Sequence, residues 1–201
     1  MFSGAQFSIY PMTSDFVPAI LRGIAALETY NESLRRETDD ISTLLVGPPD
    51  AVVRAMRDAF TEVARGGGHV VLSATLSRGC PGESDDPICT APALAPLRAD
   101  EDPVAGAVSR FDPGVDRGIP VAAQISLYPL GTEAHMARIG ACIDFLKQAG
   151  VYEKSKHFCS KLRGDASTVF AAIERAFIDF APMSAHVVMS ITVSAGSPSR
   201  T

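Results

Sequence analysis

The chain contains two diverged copies of one unit, and this duplication limits its fold more than any other feature. Residues 4–12 match residues 122–130 at a separation of 118 residues. Residues 69–71 match residues 186–188 at a separation of 117, so one residue was lost between the two points. An ordered match of this kind indicates an internal repeat, and each copy must then build a similar hydrophobic core.

Each copy has the pattern strand, helix, strand, strand, helix, strand. In the first copy we predict strands over 5–11, 33–37, 41–46 and 69–77, a first helix capped by Thr13 or Ser14, and a second helix that starts after residues 47–50. Apolar residues at helical spacing give the first helix of each copy one core-facing side: Phe16, Ile20, Ile24 and Leu27, and then Met136, Ile139, Ile143 and Leu146. This order is that of the ferredoxin-like unit, an antiparallel sheet with both helices on one face.

We therefore expect an α+β fold of two tandem ferredoxin-like (βαββαβ) repeats. The first repeat covers residues 1–78 and the second covers residues 120–201. Residues 79–119 form a linker rich in Pro, Gly and Asp, which is long enough to contain local structure. The polar sheet face of each repeat favours packing of sheet on sheet, within the monomer or across a two-fold axis.

Composition narrows the classes of partner. The 201 residues are 46% hydrophobic and carry a formal net charge of −5 without a cluster of Lys and Arg, which argues against nucleic-acid binding. No apolar stretch approaches the roughly 18 residues of a membrane span, and residues 1–6 lack the basic and apolar regions of a signal peptide. We expect a cytoplasmic protein without membrane insertion.

Strand periodicity predicts an unusually polar sheet face in both copies. Side chains that alternate with the apolar ones share this face, and they are amides, hydroxyls, imidazoles and tyrosines: Gln6, Ser8, Tyr10, His69 and Ser73, and then Gln124, Ser126, Tyr128, His186 and Ser190. A solvated face would normally carry Lys and Glu, whereas these groups are typical of a small-molecule site. The open alternative is a solvated or inter-sheet face whose Ser and Thr suit strands.

Motifs for catalysis are absent from the sequence, including the nucleophile elbow, the phosphate loop and the zinc-protease helix. His69 could act as a base, but a structural or ligand-contacting role is at least as compatible with its place at the start of a strand. Cys80 and Cys89 could pair or bind a metal, although they lack CxxC spacing, and Cys142 falls on an apolar helix face. We predict no enzyme activity, no cofactor and no metal.

Several runs in the chain resemble the YkoF family. In the first copy they are residues 4–11, 39–47 and 69–71, and in the second they include residues 157–162 and 164–165. The resemblance covers nearly the whole chain except the linker. It implies tandem ferredoxin-like repeats, a homodimer, and non-enzymatic binding of thiamine or its hydroxymethylpyrimidine moiety in thiamine uptake or salvage. The rival classes are an amino-acid-sensing regulatory module of the ACT type and a small enzyme of the dimeric α+β barrel type.

The sequence also predicts that the two sites differ in charge. To the polar-face residues we add the turn residues of each copy as ligand-binding candidates: Asp39, Asp40, Ser42 and Thr43, and at the equivalent positions His157, Cys159 and Ser160. Asp39 corresponds to Lys156, so the charge changes sign. A carboxylate would favour the thiazolium cation of thiamine in the first site. The open alternative is that Asp39 and Asp40 only form a hairpin turn.

Overall fold

The structure is a computed structural model that describes residues 2–80, 102–181 and 185–199. The first repeat consists of β1 (Phe2–Met12), α1 (Phe16–Ala26) followed by a 3-10 turn (Leu27–Tyr30), β2 (Arg35–Thr38), β3 (Thr43–Val46), α2 (Pro49–Ala64) and β4 (His69–Cys80). The connection contains α3 (Pro103–Arg110). The second repeat consists of β5 (Pro120–Pro129), α4 (His135–Gln148), β6 (Tyr152–Ser155), β7 (Ser160–Asp165), α5 (Ala166–Asp179) and β8 (Val187–Ala195).

The eight strands form one antiparallel sheet in the order β2-β3-β1-β4-β8-β5-β7-β6. The predicted tandem ferredoxin-like fold is confirmed, since each half has the βαββαβ order. The two halves meet edge to edge, where residues 70–78 of β4 pair with residues 187–195 of β8. Within the chain this arrangement replaces the expected packing of sheet on sheet, because pairing two long edges satisfies their backbone N–H and C=O groups. The polar strand residues of both halves, among them Gln6, Ser73, Ser190 and Gln124, therefore share one open face.

The helices cover the other face of the sheet. Alternate strand residues such as Phe7 and Leu72 are buried against α2, and Ile125 and Ile191 are buried in the equivalent core beneath α5. The two cores join where α2 packs on α5, with the rings of Phe60 and Phe170 5.9 Å apart. Contiguous burial of this kind supplies most of the stability of a domain.

The connection between the repeats contains one helix in its described part. Asp102 caps α3 by accepting a hydrogen bond from the backbone N–H of Val104 at 2.9 Å, and α3 packs on α4 and α5. The ring of Phe111 meets the ring of Phe145 edge-on at 5.8 Å. Residues 81–101, including Cys89, lie outside the described residues. No helix in the described ranges is long and apolar enough to cross a membrane.

The start of α1 differs from the prediction. Asp15 occupies the N-cap position without a side-chain bond to the helix, while Thr13 Oγ1 accepts a hydrogen bond from the backbone N–H of Asp15 at 3.2 Å. Thr13 therefore stabilises the turn before the helix and not the helix itself, and Ser14 also lies outside the helix.

Candidate functional site

Two cavities lie at equivalent positions in the two repeats. The first cavity, of about 280 Å³, lies between α1, the outer end of β1 and the turn that joins β2 to β3. The second cavity, of about 270 Å³, has equivalent walls in α4, β5 and the turn between β6 and β7. Small-molecule sites have volumes of ~300–1,000 Å³, so each cavity suits a single-ring ligand or one portion of a larger ligand.

An unpaired stretch of β1 faces the first cavity. β1 pairs with β4 as far as Met12, but its pairing with β3 ends at Phe7. The C=O of Ser3 accepts a hydrogen bond from the N–H of Gly47 on the β3 side, at 3.0 Å. Alternate residues of a strand direct their backbone groups to the same side, so the N–H and C=O of Ile9 also face that side. Because β3 has ended there, these two groups of Ile9 are directed to the cavity.

The second repeat has the same unpaired stretch. The pairing of β5 with β7 ends at Ile125, while β5 continues beside β8 as far as Pro129. The C=O of Ile119 accepts a hydrogen bond from the N–H of Ala166, which directly follows β7, at 2.9 Å. The backbone groups of odd-numbered residues of β5 therefore face the β7 side. The backbone N–H and C=O of Leu127 therefore face the second cavity as those of Ile9 face the first.

Two side-chain hydrogen bonds hold the first turn against β1. Ser8 Oγ donates to the C=O of Ile41 at 2.7 Å, and Gln6 Nε2 donates to Ser42 Oγ at 2.8 Å. These bonds fix the turn beside the unpaired edge. The predicted polar residues of β1 therefore help to build the cavity wall from the open side of the sheet.

In the second repeat, Ser126 Oγ donates to the C=O of Phe158 at 2.8 Å, in the same way as Ser8 does. The glutamine bond differs. Gln124 Oε1 accepts hydrogen bonds from Lys156 Nζ at 3.3 Å and from Cys159 Sγ at 3.7 Å. The two turns therefore have the same backbone bond from a serine, but the glutamine meets Ser42 in the first repeat and Lys156 and Cys159 in the second.

The helix wall of each cavity is the apolar side that the sequence suggested as core. Leu27 and Leu146 are buried, but Phe16 is 55% exposed and Met136 is 67% exposed, with the isoleucines between them only partly covered. Ile20, Ile24 and Leu27 line the first cavity; Ile139, Ile143 and Leu146 line the second. Helical periodicity cannot distinguish a side chain that packs on a neighbour from one that lines a cavity, so these wall residues were missed as site residues.

Gly23 sets the shape of the first cavity. A Cβ added to Gly23 would lie 2.8 Å from Val63 Cγ2, so the glycine allows α1 to approach α2 closely. The equivalent residue in α4 is Cys142, which is buried and lines the second cavity. Burial raises the pKa of the Cys142 thiol to about 12, so this group stays a neutral wall atom near neutral pH.

Exposed apolar side chains surround both mouths. Ile41 at the tip of the first turn is 75% exposed, and its counterpart Phe158 is 91% exposed. Tyr10 and Tyr128 are about half exposed at 52% and 47% and lie at the mouth of the first and second cavities, respectively. Flat apolar groups with a polar tip at these positions suit an aromatic ligand ring.

The charged residues that line the cavities have opposite signs. Asp39 and Asp40 line the first, whereas Lys156 lines the second, beside the imidazole of His157. Asp39 also shapes its turn, because Asp39 Oδ1 accepts hydrogen bonds from the backbone N–H groups of Ile41 and Ser42, both at 2.8 Å. The bonds from Ser42 and Ile41 hold the pKa of Asp39 below its usual range, so its carboxylate stays ionised.

Most of the predicted site residues line one of the two cavities. Ser8, Tyr10, Asp39, Asp40, Ser42 and Thr43 line the first, and Ser126, Tyr128, His157, Cys159 and Ser160 line the second. Gln6 and Gln124 contact the turns from the open face. Lys156, which was not among the predicted site residues, lines the second cavity and bonds to Gln124.

The remaining predicted residues lie along the seam between β4 and β8. His69 Nε2 lies 2.9 Å from Ser194 Oγ, and His186 Nε2 lies 3.1 Å from Ser77 Oγ, so each imidazole bonds to a serine of the other repeat. Ser73 and Ser190 are exposed on the open face. The open face has a wide, shallow depression of about 590 Å³, lined by Gln6, Ser8 and Ser73 among others. The sequence placed the pocket on this face, and the structure has its narrower cavities around the unpaired strand edges.

Comparison with known proteins gives two findings. A sequence model of the family described as "YKOF-related Family" matches residues 2–83 and 120–200, which include both repeats. The chain is also similar to "Putative HMP/thiamine-binding protein YkoF" of Bacillus subtilis (strain 168), with 32% identity over 198 residues that cover 98% of this chain and 92% of that protein. The chain therefore belongs to the YkoF-related family.

Proposed function

We propose that this protein binds thiamine or its hydroxymethylpyrimidine moiety, one molecule in each cavity, and serves thiamine uptake or salvage. The observation that carries the proposal is the pair of equivalent cavities, each with an unpaired strand edge, a tyrosine at the mouth and an apolar helix wall. The similarity to the Bacillus subtilis protein named as a putative HMP/thiamine-binding protein supports this ligand class.

The strand edge matches the chemistry of an aminopyrimidine. The exocyclic amine of this ring donates hydrogen bonds, and the neighbouring ring nitrogen accepts one. The backbone C=O and N–H of Ile9 offer the complementary pair in the first cavity, and those of Leu127 offer it in the second. The ligand edge then takes the place of the missing strand, as in recognition by strand addition. The isoleucine wall and the tyrosine enclose the flat ring.

We propose binding without turnover. The imidazoles of His69 and His186 are bonded to serines at the seam and line neither cavity, and we assign Asp39 and Asp40 in the first cavity and His157 in the second to ligand contact without a base role. A general base must come within hydrogen-bond reach of the proton that it removes. Incubation with either ligand should return it unchanged by mass spectrometry.

Calorimetric titration tests the ligand class. Thiamine and hydroxymethylpyrimidine should each bind, and a pyrimidine with a carbonyl in place of the amine should bind at least about tenfold more weakly, because its acceptor would face the C=O of Ile9 or Leu127. A panel of amino acids serves as the control for a sensor of the ACT type. Binding of an amino acid without binding of either pyrimidine compound would refute the proposal.

We also propose that the protein is a homodimer that buries the open face of its sheet. This face spans eight strands, and it carries exposed Ser73, Thr75 and Ser190 near the centre. Light scattering should give about twice the chain mass of 21.2 kDa. Ser73→Lys combined with Ser190→Lys should shift the species to a monomer, since like charges would then meet across the two-fold axis. A monomer before substitution would contradict the proposal.

A further inference from the structure

We propose that the second cavity selects an anionic ligand, the phosphate monoester of hydroxymethylpyrimidine (the ester). The first cavity takes the neutral hydroxymethylpyrimidine (the alcohol) or the cationic thiamine. The inference rests on the proposed function, because it assigns a ligand charge to one of the two proposed sites. Its basis is the contrast between two cavities of nearly equal size and equivalent walls whose turns carry opposite charge.

The charge contrast extends beyond the lining residues. The first hairpin, residues 35–46, has two arginines and three carboxylates. The second hairpin, residues 152–163, has three lysines and one arginine against Glu153 as its single carboxylate. A phosphate that enters the second mouth therefore meets an excess of positive charge, whereas the same group at the first mouth would meet Asp39 and Asp40.

The carboxylate of Glu153 is paired with residues other than Lys156. Glu153 is held by Lys161 Nζ at 2.9 Å and by Arg163 Nε at 2.8 Å, and these bonds lower the pKa of Glu153. Two cations therefore already compensate its charge. Lys156 lines the cavity, and its Nζ donates a hydrogen bond to Gln124 Oε1, an uncharged acceptor, at 3.3 Å. Gln124 is no counter-ion for the ammonium of Lys156, so a ligand phosphate can pair with it.

The first turns of α1 and α4 also differ in their residues. At the helix register that aligns Ile139 with Ile20, the first turn of α4 has His135 and Arg138 where α1 has Phe16 and Ala19. His135 and Arg138 thus lie at the start of the helix whose later residues, Ile139 to Leu146, line the second cavity. Ammonium, guanidinium and imidazole groups are the usual donors to phosphate oxygens.

The alcohol and its phosphate ester share the same aminopyrimidine ring. Both can therefore use the backbone edge of Leu127, and they differ only in the group that extends from the ring. The charge of that group then decides between the cavities. We expect the ester to bind the second cavity about tenfold or more tightly than the alcohol, an increment typical of one charge-assisted hydrogen bond.

Cys159 provides a readout that reports the second cavity alone. Its thiol is partly exposed and lines that cavity, so a bound ligand should protect it from iodoacetamide. Ser42→Cys introduces a thiol at the equivalent position of the first cavity. Peptide mass spectrometry then measures protection of each site separately during titration with thiamine, the alcohol, the ester or inorganic phosphate.

The ester should protect Cys159 at a concentration about tenfold lower than the alcohol, and in the Lys156→Gln protein the two ligands should protect Cys159 at about the same concentration. In the Ser42→Cys protein, the alcohol and thiamine should protect the introduced thiol better than the ester. Equal protection of Cys159 by ester and alcohol, or protection by inorganic phosphate as strong as by the ester, overturns the inference while the proposed function stands. If neither the alcohol nor thiamine protects either thiol or binds in calorimetry, the proposed function fails and the inference fails with it.

Discussion

Single residues at the cavity mouths are expected to contribute to binding through contact area. Tyr10 and Tyr128 are about half exposed, so a ligand ring can cover part of each side chain. Aromatic contacts of this size contribute about 1–3 kcal/mol when they are buried by a ligand. The two tyrosines occupy equivalent positions, so each serves as the control for the other.

Tyr10→Ala should weaken ligand binding at the first cavity by about 1–3 kcal/mol. Tyr128→Ala should have this effect at the second cavity and leave the first unchanged. Calorimetry with hydroxymethylpyrimidine, resolved into two sites, measures both effects. An unchanged titration curve for Tyr10→Ala would show that the ring does not form a wall of the site.

A second residue, Arg78, links the repeats through buried contacts. It comes from β4 of the first repeat and donates hydrogen bonds to the carbonyls of Phe177, Ile178 and Ala181 at the end of α5, at 3.0–3.2 Å. Burial lowers the pKa of Arg78 to about 10, so the group stays charged at neutral pH. Arg78 therefore satisfies the C-terminal carbonyls of a helix in the other repeat.

Arg78→Met should reduce the free energy of unfolding by about 3 kcal/mol or more, because it leaves several buried acceptors without this donor. Arg54→Met is the matched control. Arg54 also reaches the other repeat, at Glu174, but its side chain is 47% exposed, and the expected loss is below about 1 kcal/mol. Urea denaturation measures both. Equal losses would show that burial does not set the importance of Arg78.

At the scale of elements, the turn of the β2–β3 hairpin contains two carboxylates that line the first cavity. Asp39 accepts two backbone hydrogen bonds within the turn, whereas the exposed Asp40 lines the cavity mouth. The sequence left open whether these acids form the turn or face the ligand. The structure shows that Asp39 has a turn role, and it leaves a ligand role for either acid to be tested.

Asp39→Asn combined with Asp40→Asn should weaken binding of thiamine at the first cavity about tenfold and leave binding of the neutral pyrimidine unchanged. Asparagine retains a side-chain oxygen that can accept the turn bonds, so the hairpin should persist. Calorimetry at two salt concentrations should also show that the charge effect falls with ionic strength. Thiamine affinity that does not fall would restrict these acids to the turn and remove the predicted difference between the sites.

The start of α5 is a second element with a testable charge. Asp165 Oδ1 accepts hydrogen bonds from the backbone N–H of Ser167 and of Arg117, and Oδ2 accepts one from the N–H of Ile119. Partial burial alone would raise the pKa of Asp165, but these bonds outweigh it and hold the pKa well below its usual range. The carboxylate thus caps α5 and holds the end of the linker.

Asp165→Asn should lower the free energy of unfolding by about 1–2 kcal/mol at pH 7, because one carboxylate acceptor becomes a donor that faces the N–H of Ile119. A lowered pKa in the folded state means that the carboxylate stabilises the protein above the unfolded pKa, near 4, and less as the pH falls below it. The difference in the free energy of unfolding between the unsubstituted protein and Asp165→Asn should therefore shrink from pH 6 to pH 3. A constant difference across this range would contradict the assignment.

The whole molecule is one continuous sheet with a continuous helical layer, although its sequence has two repeats. The repeats share the β4–β8 pairing, the contact of Phe60 with Phe170, and the Arg78 bonds. Arg117 Nη2 also reaches Asp58 Oδ1 at 3.1 Å, which ties the linker end to α2 of the first repeat. Separation of the repeats would expose two long strand edges and part of each core.

We expect a single cooperative unfolding transition by calorimetry, with equal van't Hoff and calorimetric enthalpies. A ligand that occupies one cavity should raise the midpoint of this common transition, since it binds only the folded protein. Arg78→Met tests the coupling, because it removes a contact between the repeats. Two resolved transitions in the unsubstituted protein would show that each repeat unfolds independently.

The sequence determined the repeated unit, the order of strands and helices and the polar residues of β1 and β5, because these depend on local periodicity and on likeness between the two copies. It also indicated the change of charge between Asp39 and Lys156. Tertiary structure decided that β4 pairs with β8, since strand periodicity does not specify which edge meets which. It also decided where β3 stops pairing with β1 and where β7 stops pairing with β5, which leaves the backbone groups of Ile9 and Leu127 facing the cavities. The walls of these cavities include helix residues that local spacing had assigned to the core.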